Sequence, residues 1–139
     1  MESVDANVIL RFTMRDVPDH LDRVLDLLAT VGARYLVSTE AIAEAVHAME
    51  AHYELGRYAV AEQLDAFLSV PSIEADRAFY ARVCVTYVEH RKLSFSDCLL
   101  AETAQTMGAT PLWTFDEKLA NQHVAARLVP MRERKAAAN

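Results

Sequence analysis

The stretch that most constrains the chain runs from Ser94 to Asp116, where a helix, a turn, a strand and a carboxylate follow one another without interruption. Ser94 is a good N-cap with an acid three residues on, Gly108 is a C-terminal stop, and Pro111 biases Thr110 toward an extended backbone. Leu112 to Phe115 then reads as a strand. At about 100° per residue, Asp97 falls on the stripe made by Leu100, Ala101, Ala104, Met107 and Gly108, while Glu102, Gln105 and Thr106 point away. Asp97 is therefore expected to face the core. A carboxylate there is costly unless a cation or several donors meet it, and Asp116, just past the strand, is a second acid. Two readings stay open on this stretch alone. Either the acids converge on a cation, or Asp97 is the third residue of a capping box and Asp116 the cap of the next helix.

The rest of the chain alternates in the same way. Val4 lies in a short strand that ends near Asp5 and Asn7, and the apolar run Val8, Ile9, Leu10, Phe12 fits either a strand or a short buried helix. Pro18 opens a helix with Leu21, Val24, Leu25, Leu28 and Val31 inward, closed by Gly32. Ala33 to Val37 reads as a strand, and Ser38 or Thr39 caps a helix to about Tyr53 with Ile42, Ala45, Val46, Met49 and Tyr53 inward. Glu44 lies opposite that stripe, on a face of Ala41, Ala48 and Ala51 where periodicity favours solvent. Arg57 to Ser69 is a helix stopped by Pro71, with Val60, Leu64, Phe67 and Leu68 inward. A short strand near Ser72 to Glu74, a helix from Glu74 to Arg91 with Phe79, Val83 and Tyr87 in line, a helical turn through Leu119 and an edge strand at Leu128 to Val129 complete the series.

Strands alternating with helices imply a parallel sheet flanked by helices, with ligands beyond the carboxyl ends of the strands. A helix between two such strands runs antiparallel to them, so its N-terminus lies at their carboxyl edge. Asp5, Asp97 and Asp116 are thereby expected on one rim.

Length bounds the chain to a single domain, residues 1–130, with 131–139 as a polar tail carrying Arg132, Arg134 and Lys135. Twenty acids against 14 Lys and Arg give a net charge of −6, which argues against a basic nucleic-acid sleeve and confines any polyanion contact to a local patch. Three glycines leave no Gly-rich phosphate cradle. Cys84 and Cys98 match no metal-ligand spacing and read as small apolar packers in a reducing compartment. With no apolar run of about eighteen residues and no signal-like leader, a cytoplasmic protein with no membrane partner is expected.

Taken together the motifs resemble the PIN-domain ribonucleases, and within them the VapC toxins of bacterial toxin–antitoxin pairs. Val-Asp-Ala-Asn-Val-Ile-Leu-Arg at 4 to 11 looks like that family's Asp-Thr-Asn-Val-Leu-Leu-Arg start, and Ala-Glu-Ala-Val at 43 to 46 looks like its helical glutamate. Ser-Phe-Ser-Asp-Cys-Leu-Leu-Ala at 94 to 101 is similar to its Asp-Phe-Ala-Asp-Ala-Leu-Ile-Ala, and Thr-Phe-Asp at 114 to 116 to its final motif. Ala6 stands where a hydroxyl residue is usual and Ser94 where an acid is frequent.

The resemblance implies an α/β, three-layer fold with a short central parallel sheet flanked by helices, and a helix over Asn7 to Thr13. It implies a metal-dependent endoribonuclease with Asp5, Glu44, Asp97 and Asp116 as catalytic acids. Asp5 and Asp97 would hold Mg²⁺ or Mn²⁺ most directly, the choice of hard oxygen ligands, with Asn7 and Thr114 in support. It further implies an RNA substrate, a cognate VapB-type antitoxin and a homodimer. Other roles for the same residues are a PIN nuclease of RNA processing, a non-catalytic interaction domain, and a receiver-like phosphoacceptor, which Lys118 is badly placed to serve.

Overall fold

A computed structural model describes residues 1–132. Its chain divides into two compact units, Met1 to Arg91 and Lys92 onward. The architecture is α/β, with seven helices among the described residues and short strands that pair only in parallel.

The first unit runs β1 (Glu2–Val4), α1 (Ala6–Met14), α2 (Pro18–Leu28), β2 (Tyr35–Val37), α3 (Thr39–Ala51), α4 (Arg57–Leu68), β3 (Ile73–Glu74) and α5 (Arg77–Glu89). The strands form a sheet in the order β1-β2-β3, with Val4 opposite Val37 and Tyr35 opposite Ile73. The apolar positions at helical spacing converge as expected: Ile9, Ile42, Ala45, Met49, Val60, Leu64, Phe67, Val83 and Tyr87 are fully buried. Each large side chain among them contributes about 1.5–3 kcal/mol of burial. The run from Asn7 to Thr13 is helical, so the helix expected from the resemblance is the one that forms.

Helix α2 stops at Leu28, short of the Val31 to which its apolar spacing runs, and Val31 is fully exposed. The cause lies in residues distant in sequence. The Tyr35 hydroxyl donates to the Leu27 carbonyl at 2.8 Å and the Ser72 hydroxyl to the Leu28 carbonyl at 2.8 Å, which satisfies the end of the helix from the strand side. Gly32 follows in the left-handed region at φ +78°. Helix α3 likewise ends at Ala51, and Tyr53 lies beyond it. In α5, Asp76 rather than Glu74 opens the helix, accepting from Phe79 N–H, and Tyr80 is the buried neighbour of Val83 and Tyr87 while Phe79 is half-buried.

The second unit holds α6 (Phe95–Thr106), β4 (Leu112–Thr114), α7 (Glu117–Gln122) and β5 (Ala126–Leu128). It is a strand, helix, strand unit in which β4 and β5 pair in parallel, Leu112 opposite Ala126 and Thr114 opposite Leu128. The closing strand thus starts two residues earlier than the Leu128 to Val129 read from apolarity alone. In α6 the buried face is Phe95, Cys98, Leu99, Ala101, Glu102 and Ala104, while Leu100 and Met107 are 54% and 74% exposed. The inward stripe is therefore rotated from the expected one: Glu102, expected to point outward, is buried, and Asp97 is half-buried at the margin. Of the polar tail, Arg132 is described, and Arg134 and Lys135 lie outside the described residues.

Candidate active site

The acids singled out in the sequence are distributed over both units. In the first, Asp5 follows β1 directly and is the N-cap of α1. Its backbone is extended, and its Oδ1 accepts from Val8 N–H at 3.2 Å. Asn7 stands exposed in the first turn of the same helix. Glu44 lies exposed on α3, on the solvent side that periodicity assigns to it, although Ala41 of the same face is buried. Ser38 caps that helix through Ala41 N–H at 3.1 Å.

In the second unit, Ser94 and Asp97 form a complete capping box. Asp97 N–H donates to Ser94 Oγ at 3.0 Å, and Ser94 N–H donates to Asp97 Oδ2 at 3.1 Å. Asp116 is the N-cap of α7, its Oδ1 accepting from Lys118 N–H at 2.9 Å and from Leu119 N–H at 3.2 Å. The Thr114 hydroxyl in turn accepts from Asp116 N–H at 2.9 Å, so this supporting residue and its acid are brought together.

One pattern runs through all three aspartates. Each commits a single carboxylate oxygen to backbone N–H groups at a helix start and, among the described residues, leaves the other without a hydrogen bond. The capping and metal readings of Asp97 and Asp116 are therefore compatible, because a cap occupies only half of the group. The capping bonds also fix the carboxylate's orientation, which a free surface aspartate does not have.

Two side-chain clusters escaped the sequence reading. Glu102 and His123 meet in the interior of the second unit at 2.6 Å. In the first unit Arg11 donates to the Tyr53 hydroxyl at 2.9 Å, and Tyr53 donates to Asp16 at 2.8 Å. The Tyr53 hydrogen bond holds the Asp16 carboxyl below its ordinary range, and burial with that same bond pushes the Tyr53 phenol up. Neither cluster carries a motif, since the hydrogen-bonded partners are 21 to 42 residues apart.

Residues 3–124 match the PIN domain family. The chain is a PIN domain. No curated protein and no solved structure matches it. PIN domains are generally nucleases, and they typically use divalent metal ions. The donor chemistry of this PIN domain suits such an ion: carboxylate oxygens are hard ligands of the kind Mg²⁺ and Mn²⁺ take, and three helix-capping aspartates each keep one free. Among the described residues, no three of His, Cys, Asp and Glu are gathered closely enough to hold a metal by themselves. Also among the described residues, no helix is long and apolar enough to cross a membrane.

Proposed function

We propose that the chain is a metal-dependent endoribonuclease, the toxin of a VapBC-type toxin–antitoxin pair, that hydrolyses phosphodiester bonds in a structured RNA. Asp5, Glu44, Asp97 and Asp116 are its acids, Asp5 and Asp97 being the most direct ligands of Mg²⁺ or Mn²⁺. The observation that carries this reading is the free, oriented carboxylate oxygen on each of three capping aspartates in a PIN domain. A bound divalent cation supplies positive charge that lowers the pKa of a water and offsets charge developing on the phosphate.

The chain's own residues do the rest. The capping bonds hold Asp5, Asp97 and Asp116 in fixed rotamers, so the acids need no reorganisation when substrate arrives. Thr114 fixes the start of α7 through Asp116 N–H, and Asn7, two residues after Asp5, offers an exposed amide. A carboxylate of the set accepts the proton of the attacking water. Water adds to phosphorus, the P–O3′ bond breaks, and the leaving oxygen takes up a proton, giving a 5′-phosphate and a 3′-hydroxyl. On this reading the partners are the RNA, a cognate VapB-type antitoxin and a second copy of the chain, and the protein acts in the cytoplasm.

The test is induction of wild type and Asp97→Asn separately in a bacterium, with growth followed and new RNA 5′ ends mapped. Growth arrest and discrete 5′-phosphate ends from the wild type alone are expected. In vitro, a chelator should stop the cleavage and Mn²⁺ restore it. Two harmless, soluble proteins that leave RNA intact would overturn the toxin reading in favour of an interaction domain.

A further inference from the structure

We propose that the groove between α1 and α2 is a subsite for a backbone phosphate of a single-stranded RNA, next to the position of Asp5. The proposal rests on the nuclease reading for its substrate, and on its own geometry for its place. The groove has a volume of about 430 Å³. Asn7 and Arg11 line it from α1, and His20, Arg23, Val24 and Leu27 from α2, with no carboxylate among the lining residues. In a chain with a net charge of −6, such a lining repels a polyanion less than an acid-bearing surface does.

The spacing is that of two facing helix stripes. Asn7 and Arg11 are four residues apart, so they share one face of α1, and His20, Arg23, Val24 and Leu27 fall at the i, i+3, i+4, i+7 positions of α2. Asp5, Asn7 and Arg11 are thus ordered along one helix, Arg11 standing about 9 Å beyond Asp5 at the usual rise per residue. A strand running along α1 from Asp5 would bring a neighbouring phosphate toward this groove.

The two arginines are suited to different parts of the contact. Arg11 is held in place by the Tyr53 hydroxyl and by Asp16 at 3.4 Å, and its Nε is a buried donor with no acceptor among the described residues. A planar guanidinium already fixed in this way loses little freedom when an anion arrives. Arg23 is 73% exposed and its pair with Asp19, itself 79% exposed, spans 3.7 Å. Such an exposed pair contributes little and yields readily to a phosphate. Val24 and Leu27 leave an apolar floor beneath the cations, on which a ribose can lie.

The test uses the full chain carrying Asp97→Asn, so that RNA is bound and not cut, and a fluorescein-labelled single-stranded RNA of mixed sequence read by anisotropy at several KCl concentrations. Adding Arg23→Ala should weaken binding about five-fold, to the same degree for different sequences, and make the slope of log K against log salt shallower by about 0.7. Arg23→Lys should keep the slope, and Arg82→Ala, the same charge change at an exposed position of α5, should leave both quantities alone. Arg23 avoids the packing around Arg11, so a folding defect does not cloud the result. If Arg23→Ala changes neither affinity nor slope, or matches Arg82→Ala, the proposal is overturned, and the nuclease reading still stands wherever the unmodified chain cuts RNA. If the Arg23 dependence holds and the unmodified chain cuts nothing with Mg²⁺ or Mn²⁺, the nuclease reading fails and the groove remains a nucleic-acid backbone site. A chain that binds no RNA at any salt overturns the proposal outright.

Discussion

Glu102 and His123 are joined by a 2.6 Å hydrogen bond between Oε2 and Nε2, and both side chains are more than nine-tenths buried. Ala125 N–H donates to His123 Nδ1 at 3.0 Å, so the ring proton sits on Nε2 and is donated to the carboxylate. The pair ties α6 to the turn between α7 and β5, the two helices whose starts carry Asp97 and Asp116. Truncating one partner leaves the other buried with a lost bond, so His123→Ala should destabilise the protein by about 2 kcal/mol. Replacing both with leucine should recover part of that loss, since neither side chain is then stranded and only Ala125 N–H loses its acceptor. Urea denaturation of the two variants checks the order.

The same pair shows where sequence reading stops. Element type and order were legible because apolar spacing, Ser and Asp caps and Pro or Gly stops are local signals, as in α4 and in the start of α6. The exposed position of Glu44 was legible for the same reason. What was not legible depends on distant partners. Glu102 looks like a surface residue until His123 is beside it, and α2 looks three residues longer until Tyr35 and Ser72 satisfy its last carbonyls. The α6 stripe is hard to place from sequence because Leu99 and Leu100 are adjacent and fall on different faces, while the small Cys98, Ala101 and Ala104 add little amphipathic contrast. Of the candidate site, residue identities and their helix-start positions were readable, and the division of labour between the two oxygens of each aspartate was not.

The Tyr53–Asp16 contact predicts an acid-side effect. The folded pKa of Asp16 lies below its ordinary 3.8, chiefly through the Tyr53 hydroxyl. A depressed carboxylate adds stability that is present above the unfolded value and is lost as pH falls through the folded value. Tyr53→Phe should therefore be less stable than wild type at pH 6, and the gap between the two should narrow as pH falls below about 4. Thermal melts across that range measure it, and a constant gap would assign the effect to packing.

Cys84 is expected to be unreactive. Burial, with a smaller contribution from Asp65, pushes its thiol from 9.0 up to about 11. The thiolate is the reacting species, so at pH 8 iodoacetamide should modify Cys84 on the order of 100-fold more slowly than an unperturbed thiol. The folded state binds the proton more tightly, so this group's contribution to stability is intact below pH 9.0 and declines as pH rises toward about 11. Cys84→Ser should flatten that alkaline decline. Labelling followed by peptide mapping separates Cys84 from the fully buried Cys98.

Asp97 is predicted to serve two roles that different substitutions separate. Its Oδ2 closes the capping box from Ser94 N–H, and its other oxygen is free for the proposed chemistry. Asparagine keeps an acceptor oxygen for the cap but removes the charge, so Asp97→Asn should stay within about 0.5 kcal/mol of wild-type stability, the range of changes that break no named interaction. Alanine removes the acceptor as well, so Asp97→Ala should cost about 1 kcal/mol, as should Ser94→Ala, which breaks the reciprocal bond. If the acid acts through its charge, Asp97→Asn and Asp97→Ala should lose RNA cleavage equally, while Ser94→Ala keeps most of it below its lowered melting temperature. Cleavage that instead tracks stability across the three variants would make Asp97 a structural cap alone.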